Sequence, residues 1–79
     1  MSYNYEINVT SFYFRADHLF PHQIELEGKT LRFLDGLRCL VQKGQELVQI
    51  FSMSDGQKLY RLRFEPSNRT WKLLDSRPL

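Results

Sequence analysis

Cysteine occurs once, at Cys39, so the chain cannot close an internal disulfide and a reducing compartment is its default. No stretch approaches the roughly 18 consecutive apolar residues that a membrane-spanning helix requires. The four glycines, Gly28, Gly36, Gly44 and Gly56, stand singly and read as turn punctuation, which excludes a glycine-rich phosphate cradle. Histidine is limited to His18 and His22. Pro21 between them denies the shared helical face that would suit zinc, and no third ligand stands nearby. Neither metal nor cofactor is expected. Residues 1–10 lack a basic stretch followed by an apolar run, so no signal peptide is expected. The sequons Asn8-Val9-Thr10 and Asn68-Arg69-Thr70 then read as chance matches, and a cytoplasmic location without membrane contact is the expectation.

What the chain has is apolar and aromatic side chains: 42% and 14% of its 79 residues, too many for a disordered tail. The length suits one domain, residues 1–79. Fully burying one large side chain contributes about 1.5–3 kcal/mol, so a core of this size stays marginal against conformational entropy. Self-association would relieve that.

Alternation locates three hairpins. In Ile24-Glu25-Leu26-Glu27-Gly28-Lys29-Thr30-Leu31-Arg32-Phe33, a turn on Gly28-Lys29 sets Leu26 opposite Leu31 and Ile24 opposite Phe33, with Glu25 facing Arg32 on the other side. A turn on Asp55-Gly56 sets Phe51 opposite Tyr60, Gln49 opposite Leu62 and Leu47 opposite Phe64, with Met53 on the same face. The reverse face then carries Val48, Ile50 and Ser52 against Arg63, Arg61 and Leu59. A four-residue loop, Pro66-Ser67-Asn68-Arg69, sets Phe64 opposite Trp71 and Leu62 opposite Leu73, with Asn68 suited to the left-handed region. Both later hairpins assign Phe64 and Leu62 to one face, and a one-residue slip at either would break that agreement.

Upstream, Tyr3, Tyr5, Ile7 and Val9 share an inward parity, which shifts at Phe12 and Phe14; a bulge near Thr10-Ser11 in one long strand explains the shift. Residues 16–23 read as a loop. Residues 35–44 fit either a short helix capped by Asp35 or a strand over 37–41 with a turn through 42–45, and flanking strands favour the strand. The expected fold is all-β: five or six short antiparallel strands in a meander that curls into a small barrel or a two-layer sandwich. Small barrels of the Tudor or Sm-like kind share such an architecture, but no motif ties the chain to a family, and fold does not fix function.

Catalysis is not expected. Cys39 lies within an apolar run and has no activating context, so core packing or a plain strand-face position is expected of it. Glu25 and Glu27 share a strand face, but Arg32 and the turn give them ordinary partners. Charge is more informative. Residues 58–79 hold six bases against two acids, whereas residues 1–57 hold five bases against seven acids. Arg63 opposite Lys72 is destabilising unless a partner, a nucleic acid or a neighbouring carboxylate offsets it. The same outer face holds Val48, Ile50 and Leu59, with Leu74 opposite Arg61, and apolar side chains rimmed by Arg suit a protein contact. The reading is therefore an interaction module, homodimeric in one version, that binds through Val48, Ile50, Leu59 and Leu74. A weak nucleic-acid barrel using Lys58, Arg61, Arg63 and Lys72 is the alternative.

Overall fold

The computed structural model describes residues 2–79, with side chains from residue 6 onward. Seven antiparallel strands form one sheet: β1 (Ser2–Arg15), β2 (His18–Leu26), β3 (Lys29–Arg32), β4 (Asp35–Lys43), β5 (Glu46–Ser54), β6 (Lys58–Glu65) and β7 (Thr70–Pro78). The sheet has seven strands against the five or six that alternation suggests. The chain order does not run from edge to edge. The spatial order is β3-β2-β1-β7-β6-β5-β4, because the first and last strands pair at the centre. The edges are therefore β3 and β4, which are consecutive in sequence. Phe33 N–H still donates to the His22 carbonyl (2.8 Å), and Leu34 N–H already donates to the Ser54 carbonyl (2.7 Å). One extended segment thus passes directly from one edge of the curled sheet to the other, leaving the barrel unclosed along that seam.

The core-facing residues of the three hairpins are those expected, but the registers of the first two hairpins are not. The first turn is Glu27-Gly28, both at positive φ (51° and 75°), which pairs Ile24 with Leu31 and Glu25 with Thr30. Two successive left-handed residues match the twist of the flanking strands, so this turn displaces the one on Gly28-Lys29. Glu27 therefore lies in the turn, and Arg32 donates to Gln23 Oε1 (2.8 Å) instead of facing Glu25. The second hairpin turns on Gly56-Gln57, where only Gly56 has positive φ (96°) and Asp55 N–H donates to the Lys58 carbonyl (3.2 Å). Phe51 accordingly faces Leu62 and Met53 faces Tyr60. Each correction moves the pairing by two positions, so inward residues stay inward. Leu47 is the exception: it lies beyond the β5–β6 ladder and is half exposed.

The third hairpin has the expected register, Phe64 opposite Trp71 and Leu62 opposite Leu73, although Arg69 rather than Asn68 takes the left-handed conformation. Beyond it a bulge at Leu74 brings Asp75, not Leu74, opposite Arg61. The expected irregularity in β1 is present on both sides of Ser11, where Thr10 and Gln23 bond through their side chains (3.1 Å). Residues 16–23 are not a loop. Ala16 and Asp17 turn the chain in two residues at φ of 51° and 65°, and β2 follows at once. Pro21 is accommodated in β2 beside that irregularity, where a ladder can spare an N–H. The inward orientation expected of Tyr3 and Tyr5 concerns side chains outside the described ones.

The core gathers residues from β2, β5, β6 and β7 and from the β3–β4 link: Phe20, Ile24, Phe33, Phe51, Met53, Tyr60, Leu62 and Leu73. Its aromatic rings form a continuous chain, Tyr13–Phe20 (5.5 Å), Phe20–Phe51 (5.6 Å), Phe51–Trp71 (5.3 Å) and Phe64–Trp71 (4.9 Å). These offset and edge contacts add to the burial of their area.

Candidate functional site

The middle of β4 is apolar on both faces, yet the strand stands at an edge. Its ladder to β5 runs unbroken from Asp35–Ser54 to Lys43–Glu46, so its side chains alternate strictly. Leu37, Cys39 and Val41 lie on the outer face; Gly36, Arg38 and Leu40 lie on the inner one. Leu37 is 73% exposed, Leu40 52% and Val41 43%, with Leu47 across the turn at 50%. Apolar residues on both faces are what a strand covered on both sides carries. The other edge, β3, is only four residues long and has a base at each end, the usual protection of a free edge.

The free groups of β4 follow from its pairing. Gly36 carbonyl accepts from Arg15 (3.2 Å) and Gly36 N–H donates to Asp35 Oδ1 (2.8 Å), so its peptide groups point away from β5. In an unbulged antiparallel ladder this alternates, so the N–H and C=O groups of Arg38, Leu40 and Gln42 also face outward. Arg15, which also forms an ion pair with Asp35, covers only the start of this edge.

Of the expected contact residues, Val48 is 2% exposed and out of reach of any partner, whereas Ile50, Leu59 and Leu74 are half-buried. Leu37 and Leu59 line an open groove of about 460 Å³ on the outer face, with Ser52, Ser54 and Arg77. Alternation points to Leu37 and Val41 as strand residues, but their exposure depends on β4 being an edge, which is a property of the β1–β7 pairing.

The basic face is largely self-neutralised. Glu65 bridges the two facing cations, with Lys72 at 3.2 Å and Arg63 at 3.4 Å. The hydrogen bond from Lys72 and the charges of Lys72 and Arg63 hold the Glu65 carboxyl below its ordinary range. Arg61 donates two bonds to Asp75 (2.8 and 2.5 Å), which raises its own pKa. Lys58 has no ion pair among the described residues.

A second cavity, about 410 Å³ and rich in aromatic residues, was not evident from sequence. Phe12, Phe14, Leu19, Phe64 and Trp71 line it, with Arg38 donating to Gln49 Oε1 (2.9 Å) on its wall. Phe12 reaches Trp71 (5.9 Å) across the β1 irregularity, and Phe14 stays 76% exposed. His18 stands at this cavity and His22 meets Tyr13 edge-on, while Cys39 takes an exposed strand-face position rather than packing in the core. Among the described residues no three His, Cys, Asp or Glu side chains gather as a metal set. No described helix is long and apolar enough to cross a membrane.

Burial raises the Tyr13 hydroxyl pKa, and the Asp35 charge adds to it. At the β5–β6 turn, partial burial opposes ionisation of Asp55. Bonds from the Lys58 and Gln57 N–H groups and the Tyr60 hydroxyl together outweigh it and lower the pKa. Both groups have structural explanations. No family model, curated protein or solved structure matches the chain.

Proposed function

We propose that the chain is a non-enzymatic interaction module of the cytoplasm, binding a protein surface through the free edge and outer face of β4 and β5. The observation that supports this is the set of exposed apolar side chains, Leu37, Leu40 and Val41, on a nine-residue edge strand whose one internal charge, Arg38, is turned to the inner face and bonded to Gln49. Ile50 and Leu59 extend that surface inward along the outer face, and Arg61 and Arg77 rim it. Capture on the immobilised chain tests the reading against a Leu37→Glu/Val41→Glu variant that still unfolds cooperatively. A protein retained by the wild type and lost from the variant is expected. Equal retention by both, or none by either together with a strictly monomeric chain, removes the reading.

A second reading, a weak nucleic-acid barrel, draws on the clustering of Arg61, Arg63 and Lys72 on one face and on Lys58, which has no ion pair among the described residues. The carboxylates of Glu65 and Asp75 weigh against it, because phosphates would have to displace them. Three phosphate contacts would give a salt slope of about −2 to −3. Titration of single-stranded RNA and duplex DNA at low and moderate salt decides it: binding that weakens with salt and in Arg61→Glu supports it, and no binding at low salt ends it.

A further inference from the structure

We infer that the partner of the β4 edge is a second copy of this chain, paired antiparallel about a two-fold axis that passes between the two Cys39 residues. This rests on the reading of β4 as a contact surface and deepens it.

Complementarity selects both the occupant and the register. A two-fold axis perpendicular to the sheet places one residue opposite its own copy and every other residue opposite its mirror in the count. Centred on Cys39, the pairing sets Leu37 opposite Val41 of the second copy, apolar against apolar on the outer face. It sets Asp35 opposite Lys43, so both ends of the junction carry opposite charges. The edge-facing groups of Arg38 and Leu40 then fall in register. Arg38 N–H donates to the Leu40 carbonyl of the second copy, Leu40 N–H to its Arg38 carbonyl, and the same two bonds form in return. Neighbouring registers lose these features. An axis at Arg38 brings two guanidinium groups face to face. An axis at Leu40 sets Leu37 against Lys43, and one at Val41 sets Cys39 against Lys43. The other edge strand, β3, offers no comparable run, since Lys29 and Arg32 bound its four residues.

The register has a chemical signature. Cys39 bonds to β5 rather than to the free edge, so it would sit in a non-hydrogen-bonded pair with its copy. Cα atoms at such a site lie about 4.5 Å apart, within the range that a disulfide spans. Cys39 is exposed and is the only cysteine, so any covalent dimer must pass through it. Diamide would join the two thiols, taking up their two protons and two electrons as it is reduced to the hydrazine.

The experiment uses the full chain, with sedimentation for mass and diamide followed by a non-reducing gel for the register. The wild type is expected to sediment as a dimer at high concentration and to convert largely to a covalent dimer that dithiothreitol reverses. Cys39→Ser should stay dimeric without crosslinking. A Cys39→Ser/Leu37→Cys variant should dimerise but crosslink poorly, because position 37 faces position 41. Leu40→Pro removes an edge-facing N–H that β5 does not use, so it should fold as the wild type does and sediment as a monomer. A wild type that remains monomeric overturns the inference, as does a dimer that crosslinks better from position 37 than from Cys39. If the chain is monomeric while capture of a different protein is lost in Leu37→Glu/Val41→Glu, the contact surface stands and the second copy does not.

Discussion

Gly36 shows how one missing side chain sets the geometry of the edge. It faces Met53 across the β4–β5 ladder, and Met53 is completely buried. A Cβ at this position would collide with Met53 Sδ and come within 2.8 Å of the Ser52 carbonyl, which belongs to backbone and cannot swing away. Gly44, by contrast, has open space around it and positive φ (63°), so its requirement is conformational. Gly36→Ala is therefore expected to cost about 1–3 kcal/mol through overpacking, read as a lower urea midpoint. Glu65 supports a prediction in pH. Its folded pKa lies below the ordinary carboxylate value, so the stability it contributes is fully present above that value and is lost as pH falls through the folded pKa. Glu65→Gln should be less stable than the wild type at neutral pH, because Arg63 and Lys72 then face each other with no carboxylate between them. The difference should shrink towards acid pH. A constant difference across the acid range would show that the carboxylate's charge plays no part.

At the scale of the element, the turns divide into those that a residue type announces and those it does not. Gly28 and Gly56 mark their hairpins, yet each glycine permits two adjacent two-residue turns whose registers differ by two positions. Alternation cannot separate them, because both keep Phe51, Tyr60, Leu62 and Phe64 on the same side. The faces were therefore legible and the exact partners were not. The turn at Ala16-Asp17 has neither Gly nor Asn, and without that signal residues 16–23 read as a loop. Left-handed φ at Ala16 costs an L-residue about 1–2 kcal/mol, partly offset by the greater unfolded-state freedom of glycine. Ala16→Gly should thus stabilise the protein by about 0.5–1 kcal/mol, visible as a rise in Tm. A fall would mean that the turn gains more from the Ala methyl than from relieved φ. The edge position of β4 lay further out of reach, because it follows from β1 pairing with β7, a contact between the two ends of the chain that no local pattern encodes.

For the whole molecule, that end-to-end pairing decides where association must act. A curled sheet whose first and last strands meet in the middle has its weakness at the seam between β3 and β4, not at its termini. An edge-to-edge dimer would add backbone bonds to a strand that is paired along one side only, and it would couple folding to concentration. Anything that binds the folded chain alone stabilises it by mass action; for a dimer, each tenfold rise in protein concentration adds about 1.4 kcal/mol per dimer to the cost of unfolding. Thermal unfolding of the wild type should therefore move to higher temperature as concentration increases, once dimers are populated. Leu40→Pro should unfold at one temperature throughout, and that temperature should equal the wild-type value at the dilute limit. A variant already less stable at that limit would show that Pro has damaged the β4–β5 ladder, because the edge-facing N–H has no partner in the monomer. A wild type whose Tm ignores concentration, from dilute to the highest attainable, would leave the β4 edge without a second copy and its apolar face to some other protein.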